Sequence, residues 1–250
     1  MPIRVCVAGV TGWTGSAVAE AVDAAADLEL VAGVSRCDPS SYSTVAEALD
    51  AAPAEVLVDF TSAAAVKENV LAALDRRVAV VVGSSGLSAA DYEELDERAR
   101  TEEVGVIAAG NFSITAALLL RFATEAARHV GSWEVIDYAS VAKPDAPSGT
   151  ARELAERLEA GGSPAVAVPV EDTLGAPEAR GATVGTTQVH SLRLPSFSVS
   201  TEIVFGGEDE RLAIRHDAGS TPAPYVAGTL LAIRAVPERV GLTRGLDQLF

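Results

Sequence analysis

Apolar runs and helical periods alternate along the first half of the chain with a regularity that defines a fold class before any single residue is considered. Five short stretches, residues 3–10, 28–34, 55–60, 78–82 and 104–109, are almost continuously apolar. Stretches this short, apolar on both faces, suit the middle strands of a parallel sheet. Between them, residues 16–26, 63–77, a run opening near Ser88, and residues 114–130 repeat their apolar positions at helical spacing. Strand followed by helix, several times over, predicts an α/β fold built on a doubly wound parallel sheet.

After Val130 the pattern changes. Residues 133–142 alternate as a strand does, and from Ala151 the run ARELAERLEA places Leu154 and Leu158 on one face of a short helix. Residues 161–181 are rich in Pro, Gly and acid without periodicity, which predicts a mobile surface loop. Residues 186–194, 198–205 and 211–217 read as strands, the last two joined across GGEDE as a hairpin. A final helix is expected over 223–236, returning to cover the first layer. The chain thus predicts a second α+β domain with a mostly antiparallel sheet, residues 113–218, inserted into a first domain of residues 1–112 and 219–250.

The first apolar run ends in Gly9-Val10-Thr11-Gly12-Trp13-Thr14-Gly15 and passes straight into a helical segment. Strand, glycine turn, helix is the setting of the Rossmann dinucleotide fingerprint, here spaced G-x-x-G-x-x-G. Gly9 permits the turn, Gly12 lets a pyrophosphate approach the backbone, and Gly15 lets helix pack on strand; Thr11, Trp13 and Thr14 complete the cofactor-binding turn. About twenty residues on, where a ribose-reading residue belongs, stand Ser35 and Arg36. A cation there favours NADPH, with NADH as the alternative and a solvated loop charge as the plainer account of Arg36. Later strands end in Thr61, in Ser84 and Ser85, and in Asn111 and Ser113, candidates for the nicotinamide end that also read as helix caps.

A second candidate site is Lys143-Pro144-Asp145-Ala146-Pro147-Ser148-Gly149-Thr150, a cation, a tight turn and hydroxyls ahead of a helix. With Ser148 or Thr150 as cap, the open amides of the first helical turn and the ammonium of Lys143 make a receptor for an anion, most naturally a carboxylate. A proline-rich turn that merely starts a helix is the plainer account. Charge sharpens this picture. A formal net charge of −16 argues against nucleic acid as a partner, so a small anion requires a local positive pocket of this kind. Cys6 and Cys37 have neither metal nor redox spacing, which predicts small core residues and no metal site. No apolar run reaches the roughly eighteen residues of a membrane span, and the chain enters its first strand without a basic leader, so a cytoplasmic protein is expected.

Taken in order, Gly9/Gly12/Gly15, Asp59-Phe60-Thr61, Gly83-Ser84-Ser85-Gly86, Asn111-Phe112-Ser113 and the Lys143–Thr150 block K-x-D-A-P-S-G-T make the chain resemble the dihydrodipicolinate reductase family of lysine and diaminopimelate biosynthesis. The resemblance implies a nucleotide domain joined to a substrate domain whose sheet builds a homotetramer. It also implies hydride transfer from a nicotinamide cofactor to a small anionic ring, an unsaturated imine dicarboxylate. Phe60, Gly83 and Phe112 then join the cofactor site. Lys143 matches the family's proton-donating, substrate-binding lysine, and Ser148, Gly149 and Thr150 match its carboxylate cradle. The family places two adjacent histidines just before that lysine, where this chain has Ala139 and Ser140, and Ser140 is retained as a substrate-binding position. Neither residue titrates near neutral pH. The chain's histidines are His129, His190 and His216, none within the block. Two alternatives therefore stay beside reduction of the family substrate: a paralogous imine or enamine reductase for another ring, and a non-catalytic NADPH-binding regulator.

Overall fold

A computed structural model describes residues 1–250. In chain order its elements are β1 Ile3–Ala8, α1 Trp13–Ala24, β2 Leu28–Val34, α2 Val45–Ala51, β3 Val56–Asp59, α3 Val66–Leu74, β4 Ala79–Val82, α4 Ala89–Thr101, β5 Gly105–Ala108, α5 Ile114–Ala126, β6 Trp133–Ala139, α6 Gly149–Leu158, β7 Ala182–Val184, β8 Thr187–Arg193, β9 Val199–Gly207, β10 Glu210–Asp217, α7 Ala223–Ala235 and β11 Gly241–Arg244. They divide into two compact units, Met1–Ile114 with Thr221–Phe250, and Thr115–Ser220. Both divisions fall slightly later in the chain than the sequence pattern suggested.

The first unit is a six-stranded sheet in the order β11-β5-β4-β3-β1-β2, parallel throughout. Every residue of β3, β4 and β5 is buried, as strands covered on both faces require. The strand order reverses between β1 and β3, which sets the carboxyl end of β1 at the position where open α/β sheets receive ligands. Local signals start two of the helices of this unit. Ser88 and Asp91 form a reciprocal capping box at α4, and Thr44 accepts the Glu47 amide at 3.2 Å to open α2.

The second unit carries a five-stranded sheet in the order β10-β9-β6-β8-β7. Only β6 and β8 run parallel; the other neighbours are antiparallel. Burial alternates along β6, and its inward residues Trp133 and Val135 join Val189, Ile203 and Phe205 beneath Leu119, Leu120 and Ala123 of α5 and Leu154 and Leu158 of α6. The Trp133 indole N–H is satisfied within this core by the Thr187 hydroxyl at 3.0 Å.

Several expected boundaries shift for identifiable reasons. The first strand stops at Ala8 because Gly9 leaves extended geometry for φ +83°. The strand from Trp133 stops at Ala139 because Ser140 opens a turn closed by the Lys143 amide on the Ser140 carbonyl at 3.0 Å. The helix over 114–130 ends at Ala126, leaving His129 in the following turn, 3.4 Å from the Glu125 carboxylate. Residues 161–181 hold no α-helix or strand, yet the segment is tied down at two points: the Ala165 amide on the Gly131 carbonyl at 2.7 Å, and Arg180 on Glu134 at 2.7 Å. Three short elements, α2, β7 and β11, lacked a sequence signal because each is too brief to display a period.

Phe205 is fully buried and packs on Trp133 with ring centroids 6.0 Å apart. Phe205→Ala should lower unfolding free energy by about 3–5 kcal/mol, read as a fall in the urea midpoint at constant slope. A loss below about 1 kcal/mol would contradict this packing.

Candidate active site

At the carboxyl edge of the parallel sheet, the glycine turn is pressed between a strand end and a helix. A Cβ on Gly9 would collide with the Phe60 carbonyl, and one on Gly15 with the Gly9 carbonyl. Gly12 is the N-cap of α1 and no side chain caps the helix, so its first-turn amides remain for another acceptor. The Thr11 and Ser35 hydroxyls meet at 2.7 Å, and the Ser35 hydroxyl accepts the Cys37 amide at 3.2 Å. Arg36 is exposed beside them. The structure thus brings Gly9, Thr11, Gly12, Gly15, Ser35 and Arg36 to one edge, with Trp13 and Thr14 opening α1 there. Trp13, more than half exposed, makes an edge contact to Tyr225 of α7 at 5.9 Å. The expectation that both cysteines are core residues holds for Cys6 alone: burial pushes its thiol up to about 12, whereas Cys37 is exposed next to Arg36.

The ends of β3 and β4 are joined by the acid of the motif Asp59-Phe60-Thr61. Asp59 is wholly buried and accepts the Thr61 amide (3.1 Å), the Thr61 hydroxyl (2.8 Å), the Asn69 side-chain amide (2.7 Å) and the Ser84 hydroxyl. Ser84 in turn accepts the Thr61 amide at 2.7 Å. Its signal in the sequence was an acid closing an otherwise apolar strand. The Phe60 and Phe112 rings meet edge to face at 5.8 Å, Gly83 lies against the Phe60 ring, and the Asn111 side chain accepts the Ser113 amide at 2.8 Å. Ser85 is exposed.

In the second unit, Ser148 is the cap of α6, its hydroxyl accepting the Ala151 amide at 3.3 Å. Gly149 and Thr150 open the helix. The Lys143 ammonium lies on the same loop, 2.8 Å from the Asp145 carboxylate and partly exposed. Ser140 serves the preceding turn, its hydroxyl accepting the Ala142 amide at 3.3 Å, while Ala139 is buried in β6. Beneath the loop lies a carboxylate that no motif in the sequence marks. Asp137, wholly buried in β6, accepts the Ser148 amide at 2.9 Å, the Ser191 hydroxyl at 3.0 Å and the Arg193 guanidinium at 2.8 Å. Burial pushes its pKa up, but the hydrogen bonds from Arg193 and Ser148 and the guanidinium charge outweigh burial and hold it below the ordinary carboxylate range.

The histidines separate by position. His190 pairs with Glu134 at 2.7 Å, beside Arg180. His216 is buried, and burial holds its imidazole below the usual range despite Asp217 beside it. No group of three or more His, Cys, Asp or Glu is arranged to hold a metal ion, and no helix is long and apolar enough to cross a membrane.

Residues 3–112 match the family model described as dihydrodipicolinate reductase, N-terminus, and residues 115–249 match that for the C-terminus. The chain belongs to the dihydrodipicolinate reductase family. It shares 39% identity over 250 residues with a protein from Cutibacterium acnes named 4-hydroxy-tetrahydrodipicolinate reductase, covering 99% of this chain and 98% of that one. Among solved structures, a dipicolinate-bound dihydrodipicolinate reductase from Paenisporosarcina sp. TG-14 superposes with a TM-score of 0.82 at 28% identity, each chain covered completely. GenD2 from gentamicin A biosynthesis, solved in complex with NAD, shares the fold with a TM-score of 0.69 at 17% identity, over 99% of this chain and 90% of that one. A dihydrodipicolinate reductase is an NAD(P)H-dependent oxidoreductase, and the two matched segments meet close to the division between the two units.

Because the folded-state pKa of Asp137 is depressed, its contribution to stability is complete above the ordinary aspartate value of about 4 and is lost as pH falls through the lower folded value. Urea unfolding from pH 6 down to pH 2.5 should therefore show a smaller acid-side loss of stability in Asp137→Asn than in the wild type. Parallel curves would deny the carboxylate this role.

Proposed function

We propose that this protein is a 4-hydroxy-tetrahydrodipicolinate reductase that uses NADPH, acting in lysine and diaminopimelate biosynthesis. The observation that supports this reading is one loop that carries the partly exposed Lys143 ammonium, paired with Asp145 at 2.8 Å, and runs directly into the Ser148-capped amino end of α6, a combination suited to one carboxylate of a ring dicarboxylate. The nearly full-length relative named for that activity supports it.

A nicotinamide dinucleotide suits the residues of the first unit. Gly9 and Gly15 let strand, turn and α1 close on one another, since a Cβ on either would meet the Phe60 or the Gly9 carbonyl, and the amides opening α1 at Trp13 and Thr14, with no side-chain cap, suit a pyrophosphate. Thr11 and Ser35 would hold the adenosine ribose, and the exposed Arg36 would pair with a 2′-phosphate. Phe60, Thr61, Gly83, Ser84, Ser85, Asn111 and Phe112 would line the nicotinamide end, Thr61 and Ser84 being oriented by Asp59. The bound cofactor supplies the hydride. Ser148, Gly149 and Thr150, with Ser140 nearby, hold a substrate carboxylate, and Lys143 donates the proton that completes the reduction. On the family relationship we further infer a cytoplasmic homotetramer.

One observation keeps a second reading in view. Ala139 is buried and the Ser140 hydroxyl serves its own turn, so the positions of the family's histidine pair offer no titrating group here. A paralogous enzyme reducing another cyclic imine acid would fit that change. NADPH oxidation by purified protein against a panel of cyclic imine acids decides between the two. No turnover of any of them, with NADPH still bound, would leave a non-catalytic binding protein.

Lys143→Ala should lower kcat by about 10²–10⁴-fold while the Kd for NADPH stays within twofold; unchanged turnover would remove Lys143 from the mechanism. Arg36→Ala should raise the KM for NADPH by roughly ten- to a hundredfold, the worth of a charged hydrogen bond, and leave that for NADH nearly unchanged. Equal effects on both cofactors would count against recognition of a 2′-phosphate.

A further inference from the structure

The loop assigned to the substrate holds Pro144 and Pro147 and has no regular structure before α6, so something else must aim its amides and ammonium. The sheet beneath it supplies a candidate. Across β8, β6, β9 and β10, one inward row is Val189, Val135, Ile203 and Ile214, wholly apolar, and the next is Ser191, Asp137, Thr201 and His216, wholly polar. The Asp137 carboxylate of this polar row grips the loop amide of Ser148 at 2.9 Å. Arg193, paired with the same carboxylate oxygen at 2.8 Å, extends the same nitrogen to the Asp145 carbonyl at 2.7 Å. One ion pair, wholly buried on its carboxylate side and largely so on its guanidinium side, thus fixes the chain on both sides of Ala146-Pro147.

Resting on the reading of this loop as the substrate site, we propose that Asp137 and Arg193 are positioning residues for reduction: they clamp the loop so that the Lys143 ammonium and the α6 amides meet the substrate carboxylate together. Stability alone is a poor reason to build this pair. A buried ion pair returns little net free energy compared with apolar packing. This one also leaves Asp137 Oδ1, Arg193 Nε and the neighbouring Thr201 hydroxyl without hydrogen-bond partners. Charge gives Arg193 a second part, since without its guanidinium the Asp137 carboxylate would stand uncompensated below a receptor for an anion. Lysine in its place preserves the charge but not the second nitrogen of the guanidinium, Nη1, which donates to the Leu192 carbonyl at 2.9 Å and the Asp137 carbonyl at 3.4 Å and so sets the direction in which Nη2 points.

The test is calorimetric titration of wild type, Arg193→Lys, Asp137→Asn and Lys143→Ala with pyridine-2,6-dicarboxylate and, separately, with NADPH, alongside thermal unfolding and steady-state kinetics. Arg193→Lys should weaken the dicarboxylate about tenfold and raise the substrate KM in step, with NADPH affinity within twofold of wild type. Asp137→Asn should show the same selective loss; should it fail to fold, Arg193→Lys decides. Folded Arg193→Lys protein that binds the dicarboxylate as wild type does, or that loses both ligands equally, overturns the clamp. The two readings fail separately. If Lys143→Ala weakens the dicarboxylate and Arg193→Lys does not, only the clamp falls. If wild type does not bind it, or Lys143→Ala leaves its binding unchanged, the substrate assignment falls and takes the clamp with it.

Discussion

A carboxylate removed from water must be met by donors or it costs several kcal/mol, and both units of this protein place such a group near the end of a strand, where a functional loop begins. Asp59 closes β3 and is met by hydroxyls and amides from Thr61, Asn69 and Ser84. Asp137, two residues before the end of β6, is met by Ser148, Ser191 and the guanidinium of Arg193. Each acid has several acceptor sites, so each organises several segments at once. The candidate cofactor and substrate loops depend on these two anchors more than on their own conformational preferences.

The chemistry of the two anchors differs with what lies above them. Beside the glycine turn, neutral donors suffice for Asp59, and the amides opening α1 and the Arg36 charge stay available. Beneath Lys143 and the α6 amides, a bare negative charge would oppose an incoming anion, and Arg193 cancels it. On the proposed reading of this loop, an acidic protein of net charge −16 would thereby keep a local receptor for a carboxylate. With Ala139 and Ser140 where the family resemblance implies a histidine pair, Lys143 is the cation that the loop itself supplies.

The apolar side of the structure is simpler. Parallel strands buried on both faces are read from short apolar runs, as β4 is over Ala79–Val82. The glycine turn was legible because strand, turn and helix are adjacent in sequence, and the Lys143–Thr150 block because cation, cap and helix start lie within eight residues. The short strands β7 and β11 were not legible, because three or four residues carry no period and their pairing partners lie elsewhere in the chain.

By itself, the amino-acid sequence determined two sheets of different character, the glycine turn, a hydroxyl cap at Ser148 or Thr150 ahead of α6, and the family resemblance carried by contiguous motifs; the fold chose Ser148. Tertiary structure alone decided which side chains orient those motifs. Arg193 reaches Asp137 and Asp145 from 56 and 48 residues away, and Ser84 reaches Asp59 across 25. Strand register brings such groups together. Local propensity and spacing are set by neighbours along the chain, whereas the pairing of a buried charge is set by whichever distant strand happens to lie beside it.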